Sequence, residues 1–172
     1  HENHLIIEQK GALGIIVLNR VSSLNALTLD MIHGIHQQIE TWQHDTTIQA
    51  ILIKSNSPKA FCAGGDIRYL YDHFKNGTAG HKEYFIAEYA MLNCIRASQK
   101  TVVVLLDGYV LGGGFGLAQA CHIIVSSEKS RFAMPETAIG FFPDVAATHF
   151  LSRLDDIGVY LATTGDQITS SD

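Results

Sequence analysis

The chain has 172 residues and a mass of 18.8 kDa, enough for one domain, and its 47% hydrophobic and 17% charged residues exclude a disordered protein. The formal net charge of -5, without a basic stripe among 12 lysines and arginines, excludes a typical nucleic-acid-binding protein. Because no apolar run approaches the length of a membrane span, we expect no membrane partner either.

The elements predicted from hydrophobic periodicity alternate between strands and helices. Segments 4–9 and 13–20 flank a turn at Lys10 and Gly11, which predicts a hairpin. The later predicted elements are a helix over 28–45 behind an N-cap at Thr28, a strand over 48–55, helices over 67–74 and 83–98, a strand over 101–106, a helix from near Gly113 and a strand over 122–127. This alternation predicts an α/β fold with substantial parallel pairing, in a single domain over residues 1–172.

Two glycine-rich segments, "KAFCAGGDI" (59–67) and "VLGGGFGLA" (110–118), each lie between a predicted strand and a predicted helix. The second does not match the dinucleotide fingerprint, because counting from Gly112 the sixth position is Leu117. It also lacks the lysine of a phosphate loop. Close helix–strand packing is one explanation for these glycines. The other is that each turn directs one backbone N–H at an oxyanion or enolate formed from a thioester.

Four motifs carry a family resemblance: "LNALT", "FCAGGDI", "GYVLGGGFGLA" and "RFAMPETAIGFFPDV". In this order they resemble the crotonase superfamily of enoyl-coenzyme A hydratases and isomerases, over residues 5–154. The resemblance implies a crotonase-like spiral of repeated ββα units and an acyl-coenzyme A substrate. It implies no separate cofactor, because coenzyme A is part of the substrate, and no metal.

The resemblance also implies site residues. The oxyanion donors would be the backbone N–H groups of Ala63 and Gly113. The other implied substrate-binding residues are Gly64, Gly65 and Asp66 beside the thioester, and Asn25, Ala26 and Leu27 along the coenzyme A.

Carboxylates distinguish the subfamilies. Hydratases of this family use two glutamates, but the first of the two positions is Gly116 here, and only Glu136 in "MPET" remains. With Asp144 in "FFPDV" and Glu88 in "AEYAML", the pattern is similar to the family's hydrolases of 3-hydroxyisobutyryl-coenzyme A in valine breakdown. This implies that Glu136 attacks the thioester carbonyl or activates water. Asp144 would bind the substrate hydroxyl or manage a proton, and Glu88 would orient groups at the acyl end.

Two other functions stay open. An isomerase would move a double bond with Glu136 alone, which leaves Asp144 without an obvious task. A non-catalytic acyl-coenzyme A-binding subunit would need none of the three carboxylates, which would then be solvated surface charges.

The remaining reactive side chains have plainer explanations. Cys62 could be a thiol nucleophile, but a small buried filler is the favoured interpretation. His33 and His36 lie three apart on a predicted helix, and no third metal ligand is evident in the sequence. The odd set of three cysteines and an N-terminus without the layout of a signal peptide predict a cytoplasmic protein, or a mitochondrial-matrix protein in a eukaryote.

Hydrolases of this family continue past the matching region with a helical C-terminal part. We therefore expect these residues to be the N-terminal core of a longer chain. An apolar patch around residues 150–154 and 159–165 is then exposed or covered by a partner, and assembly into a homo-oligomer is open.

Overall fold

The computed structural model describes residues 3–172 and alternates strands with helices along the chain. The strands are β1 (Leu5–Lys10), β2 (Leu13–Leu18), β3 (Ala50–Ser55), β4 (Ala60–Cys62), β5 (Thr101–Leu106), β6 (Tyr109–Leu111), β7 (Ile123–Ser126), β8 (Arg131–Ala133) and β9 (Ile168–Thr169). The α-helices are α1 (Leu29–His44), α2 (Ile67–Lys75), α3 (Gly80–Ala97), α4 (Gly113–Ala120), α5 (Ala147–Leu151) and α6 (Asp155–Thr164). Short 3₁₀ helices span Val21–Ser23 and Pro135–Ile139.

The strands form two sheets that the chain visits in turn. The larger sheet has the order β1-β2-β3-β5-β7, and the smaller has the order β4-β6-β8-β9. Strands β2, β3, β5 and β7 pair in parallel, as do β4, β6 and β8, whereas β1 and β9 pair antiparallel at the edges. The successive pairs β3–β4 and β5–β6 are each followed by helix, which confirms the expected α/β spiral of ββα units.

Helix α1 shows how the sequence specifies an element. Thr28 is its N-cap, and the Thr28 side chain accepts a hydrogen bond from the Met31 backbone N–H at 3.2 Å. Its apolar residues at helical spacing, Met31, Ile35, Ile39 and Trp42, are buried. The predicted hairpin and long elements agree with the structure to within three residues at their ends. Strands β4, β6 and β8 were missed because three residues are too few to show a periodicity.

The core lies between the larger sheet and the helices α1 and α3. Alternate residues of β3 and β5, such as Ile51, Ile53, Val102 and Val104, are fully buried. The buried face of α3 includes the carboxylic side chain of Glu88 among its apolar residues. A carboxyl group in such a position is uncommon and marks the region that contains the candidate site.

The end of the chain is partly apolar at the surface. Leu154, Ile157, Val159 and Tyr160 are exposed, whereas Phe150, Leu151 and Leu161 pack into the core. In the segment 159–165 the expected apolar patch therefore consists of Val159 and Tyr160. In the segment 150–154 only Leu154 contributes an exposed apolar side chain. Among the described helices, none combines the length and apolarity that a bilayer crossing requires.

Candidate active site

The two glycine-rich turns meet in space. Gly64 has φ +109° and Gly112 has φ +49°, values that favour glycine. A Cβ atom placed on Gly64 would lie 3.7 Å from the Gly113 backbone nitrogen, and one placed on Gly113 would lie 3.5 Å from the Gly65 backbone nitrogen. The two glycine-rich turns are thus in van der Waals contact, and the amides of Gly65 and Gly113 lie close to each other.

The backbone hydrogen bonds show which amides are available to a ligand. The Ala63 N–H donates to the Leu24 carbonyl oxygen at 3.0 Å, so Ala63 is not an available oxyanion donor, contrary to the sequence-based expectation. Within residues 3–172, no turn or loop hydrogen bond uses the Gly65 or Gly113 amide. Gly113 is also the first residue of α4, where a backbone N–H has no partner within the helix. Gly65, rather than Ala63, is therefore the candidate for the first donor.

Hydrogen bonds from residues 25–27 stabilise the first glycine-rich segment, 59–67. The Leu27 N–H donates to the Gly64 carbonyl oxygen at 2.8 Å, and the Tyr84 hydroxyl donates to the Leu27 carbonyl oxygen at 2.8 Å. The Asn25 side chain donates to the Phe61 carbonyl oxygen at 3.0 Å. Asn25 and Leu27 are fully buried, so their side chains stabilise the fold, and the expected place of segment 25–27 along coenzyme A stays a prediction.

Asp66 and Ala26 both interact with Arg20 in the loops beside the first glycine-rich segment. The Asp66 carboxylate accepts a hydrogen bond from the Tyr69 backbone N–H as the N-cap of α2 and pairs with Arg20 at 2.9 Å. These two contacts stabilise the loop, and the expected position of Asp66 beside the thioester stays a prediction. Ala26 is half-buried, and its carbonyl oxygen accepts a hydrogen bond from Arg20, so Ala26 is the one residue of segment 25–27 with access to a ligand.

A cavity of about 540 Å³ opens beside the two free amides. It is lined by Gly65, Gly113 and three carboxylic side chains, those of Glu88, Glu136 and Asp144. Most of its other walls are apolar and come from α2, α3 and the segment 139–141. An apolar cavity with a few convergent polar groups is the usual form of a small-molecule site.

The Glu136 carboxyl group lies beside the second glycine-rich turn. Its Oε1 atom lies 2.9 Å from the position of a Cβ on Gly112, and the residue is 8% exposed. Its Oε2 atom is buried without a hydrogen-bond partner among the described residues. Burial, followed by the charge of Asp144, raises the pKa of Glu136 to about 7. At neutral pH this carboxyl group can therefore either accept or release a proton.

The Glu88 carboxyl group lies close to Gly113. Its Oε1 atom is 2.7 Å from the position of a Cβ on Gly113, and the residue is 3% exposed. Burial, and then the charges of Asp144 and Glu136, raise the pKa of Glu88 to about 8. The structure thus brings Glu88 and Glu136, 48 positions apart, to one cavity, with Glu88 protonated at neutral pH.

Asp144 is held by a residue that the sequence did not single out. The Tyr89 hydroxyl donates to Asp144 Oδ2 at 2.6 Å. The next two residues, Val145 and Ala146, have φ values of +45° and +62°, an uncommon conformation for these side chains. A hydrogen bond from α3 and a strained turn together set the position of the Asp144 carboxylate. No local pattern marks Tyr89, because its partner lies 55 residues away.

The structure also explains why Gly116 has no carboxylate. A Cβ atom on Gly116 would lie 2.5 Å from Cβ of Val145. Even an alanine at 116 would require Val145 to move, so a glutamate, as in the hydratases, has no room here. The carboxylic acids that line this cavity are therefore Glu88, Glu136 and Asp144.

Cys62 and the two histidines lie outside the cavity. Cys62 is buried, its thiol donates to the Asn25 carbonyl oxygen at 3.1 Å, and burial raises its pKa to about 12. A thiol with so high a pKa is not a nucleophile at neutral pH, so the interpretation as a buried filler is confirmed. His33 is exposed, and His36 is half-buried.

The pKa of Glu88 leads to a prediction about stability. Between pH 4.5, its ordinary pKa, and about 8, the folded chain keeps a proton that the unfolded chain releases. The free energy of unfolding therefore falls as pH rises through this window. Glu88→Gln, which is always neutral, should be more stable than the parent at pH 9 and should narrow the difference in Tm between pH 6 and pH 9 by about 5 °C or more. Thermal unfolding of both proteins, with Glu83→Gln as an exposed control on the same helix, checks this. An unchanged pH dependence of Tm would show that Glu88 ionises normally.

Known proteins resemble this chain over nearly its whole length. The profile of the enoyl-CoA hydratase/isomerase family matches residues 13–172. A relative from Gallus gallus named 3-hydroxyisobutyryl-CoA hydrolase, mitochondrial, is 46% identical over 98% of this chain and 44% of the relative. The relative of the same name from Xenopus laevis is 45% identical over 97% of this chain and 44% of the relative. The chain thus spans less than half the length of these curated relatives.

Solved structures show the same fold. A crystal structure of an enoyl-CoA hydratase from Rhodobacter sphaeroides superposes with a TM-score of 0.95 at 36% identity, over 99% of this chain and 51% of that chain. A carnitinyl-CoA dehydratase from Mycobacterium thermoresistibile does so with a TM-score of 0.95 at 31% identity, over 98% and 50% of the two chains. With the profile match over nearly all of its length, the chain belongs to the enoyl-CoA hydratase/isomerase family.

Proposed function

We propose that the protein containing these residues hydrolyses the thioester of a 3-hydroxyacyl-coenzyme A, with 3-hydroxyisobutyryl-coenzyme A as its substrate. The observation that carries the proposal is the position of Glu136, a buried carboxyl group beside two free backbone amides in an otherwise largely apolar cavity. The relatives named as 3-hydroxyisobutyryl-CoA hydrolases support the choice of substrate.

In the proposed reaction, the thioester carbonyl oxygen accepts hydrogen bonds from the Gly65 and Gly113 amides. Either Glu136 attacks the carbonyl carbon itself, or it takes a proton from a water molecule that attacks. The oxyanion then collapses, the carbon–sulfur bond breaks, and coenzyme A leaves as a thiolate that takes up a proton. In the first route, water hydrolyses the resulting acyl–Glu136 anhydride and restores the carboxylate. Both routes consume one water and yield a free acid and coenzyme A.

The other two carboxylic acids suit the substrate's hydroxyl group. The Tyr89 hydroxyl orients Asp144, whose carboxylate would accept a hydrogen bond from the 3-hydroxyl. Glu88, protonated at neutral pH, can donate a hydrogen bond at the acyl end. The apolar side chains of Leu70, Phe85 and Phe141 line the remaining volume and would accommodate a methyl-branched carbon chain.

The structure gives reasons to prefer hydrolysis over the alternatives. Hydration by the family's two-glutamate pattern is disfavoured, because Val145 occupies the space beside Gly116. An isomerase needs one proton-shuttling carboxylate and leaves the Tyr89–Asp144 pair without a task. A purely binding subunit would gain nothing from burying Glu136 without a partner, which costs folding free energy.

One assay series separates these functions. The full-length protein is given 3-hydroxyisobutyryl-coenzyme A, and the free thiol is followed with a colorimetric reagent. In parallel it is given a 2-enoyl- and a 3-enoyl-coenzyme A, and the ultraviolet absorbance of the conjugated double bond is followed. We expect thiol release and no change in absorbance. Double-bond migration without thiol release would support the isomerase, and neither signal from a folded protein that binds coenzyme A would support the binding subunit.

Tyr89 gives a prediction about substrate recognition. Tyr89→Phe removes the 2.6 Å hydrogen bond to Asp144 and frees that carboxylate to rotate. We expect kcat/KM for the 3-hydroxyacyl-coenzyme A substrate to fall about tenfold. For an acyl-coenzyme A of the same carbon chain without the 3-hydroxyl group, kcat/KM should change much less. Tyr160→Phe, which removes a similar surface hydrogen bond to Asp166, is the control. Equal losses for both substrates would mean that Asp144 does not bind the hydroxyl.

We propose coenzyme A thioesters as the ligands of the cavity and no resident cofactor. The curated relatives are named as mitochondrial proteins, so the cytoplasmic location expected from the sequence is not confirmed. For a eukaryotic source, the mitochondrial matrix is our proposal. A homo-oligomer stays a prediction that sedimentation of the full-length protein would test.

A further inference from the structure

A second cluster of chemically reactive side chains lies between α1 and α3. His36 and Glu40 occupy successive turns of α1, and Cys94 lies on α3. The nearest ligating atoms of the three side chains are all within 4.8 Å of one another. His36 Nε2 and Glu40 Oε1 are 3.5 Å apart. None of the three residues lines the catalytic cavity.

The cluster is open to solvent on one side. Its three residues line a surface cavity of about 930 Å³ between the two helices, which also includes His44. The side chain of His36 is 27% exposed and that of Glu40 is 65% exposed, while Cys94 is half-buried. An ion can therefore reach the cluster without any part of the fold opening. His33, the other histidine that the sequence singled out, is exposed and is not a member of the cluster.

The ligand atoms of the three side chains favour some metal ions over others. A thiolate sulfur, an imidazole nitrogen and a carboxylate oxygen are the three ligand types of Zn²⁺, whereas Mg²⁺ and Ca²⁺ prefer oxygen ligands alone. With zinc–ligand distances near 2.0–2.3 Å, tetrahedral ligand atoms lie roughly 3.3–3.8 Å apart. The observed upper bound of 4.8 Å is thus about 1 Å wider, a difference that rotation of the long Glu40 side chain and of His36 can close.

We propose that His36, Glu40 and Cys94 form a binding site for a divalent cation of intermediate softness, Zn²⁺ in preference, with water as the fourth ligand. On binding, the Cys94 thiol releases its proton to solvent, and the imidazole of His36 binds in its neutral form. The ion then joins α1 to α3. Because Glu88 and Tyr89 are on α3 within two turns of Cys94, the ion would also restrain the helix that carries them.

Cobalt binding tests the proposal directly, because Co²⁺ replaces Zn²⁺ in tetrahedral sites and its bond to a thiolate gives a charge-transfer band in the near ultraviolet. The metal-free full-length protein is titrated with CoCl₂. We expect a saturable thiolate band that Cys94→Ser abolishes, while His36→Gln weakens the Co²⁺ affinity at least tenfold. His33→Gln, an exposed histidine one turn away on the same helix, should leave the titration unchanged.

The cobalt titration can overturn the proposed metal site. It would do so if the parent gave no thiolate band, or if Cys94→Ser gave a band equal to that of the parent. A His33→Gln variant that loses as much affinity as His36→Gln would also overturn it, since the loss would then not be specific to the cluster.

A second measurement covers the possibility that Cys94→Ser folds poorly. At a hundredfold excess over the dissociation constant of the parent, ZnCl₂ should raise the Tm of the parent and of His33→Gln by about 5 °C or more, and that of His36→Gln by about half as much or less. Equal shifts in Tm for His36→Gln and the parent would overturn the site.

Discussion

Glu136→Gln is expected to lower turnover of 3-hydroxyisobutyryl-coenzyme A by a factor of about 10² to 10⁴, and by more if the covalent route operates. Glutamine has the size of glutamate but cannot attack a thioester or accept a proton from water. Because the substitution removes a group whose ionisation opposes folding, the variant should be at least as stable as the parent above pH 7. Binding of coenzyme A should persist. Loss of turnover with an unchanged or higher Tm therefore identifies a catalytic role.

The pH dependence of the parent enzyme supplies a further check on Glu136. The reactive form is the carboxylate, and the pKa of Glu136 is raised to about 7, so kcat/KM should rise as pH increases through 7. Glu128→Gln, an exposed glutamate close by in the sequence, is the control and should retain both the rate and the pH profile. Full turnover by Glu136→Gln would contradict the assigned role.

Removing the backbone donor of Gly65 is expected to have the second largest effect. Replacement of Gly65 by glycolic acid turns one amide into an ester, which deletes the N–H while keeping the shape of the chain. Loss of one oxyanion donor typically lowers kcat by about 10² to 10³. KM should change little, because the donor acts mainly on charge that develops in the transition state. Steady-state kinetics of the semisynthetic full-length protein would measure both constants.

The corresponding change at Ala63 distinguishes the two candidate donors. Lactic acid in place of Ala63 deletes the N–H that donates to the Leu24 carbonyl oxygen. We expect this protein to lose about 1 kcal/mol of unfolding free energy and to keep a kcat within a few-fold of the parent. If the Ala63 ester loses turnover and the Gly65 ester does not, the original assignment of Ala63 is right and the structural correction is wrong.

The residues near the site differ in how much the sequence alone could say of them. The positions of Glu136 and Gly113 follow from local patterns, a glycine-rich turn before a helix and a family motif. The residues Asn25 and Leu27 belong to a motif as well, but burial gives them a supporting role that no motif states. Tyr89 has no local signal at all, because its importance comes from Asp144 on another segment.

The sequence by itself determined the longer elements between residues 4 and 127, the alternation of strand and helix, and the two glycine turns, since periodicity and turn chemistry act over a few neighbouring residues. Helix α6 was not predicted. Only the tertiary structure decided which amide is free, because Leu24, the partner of Ala63, comes from a segment 39 positions earlier. In the same way, packing decided that Val145 excludes a glutamate at 116, and that Cys94 lies beside His36. Hydrogen bonding, burial and ligand geometry depend on atoms that are distant in the chain, and these are the interactions that local sequence patterns do not contain.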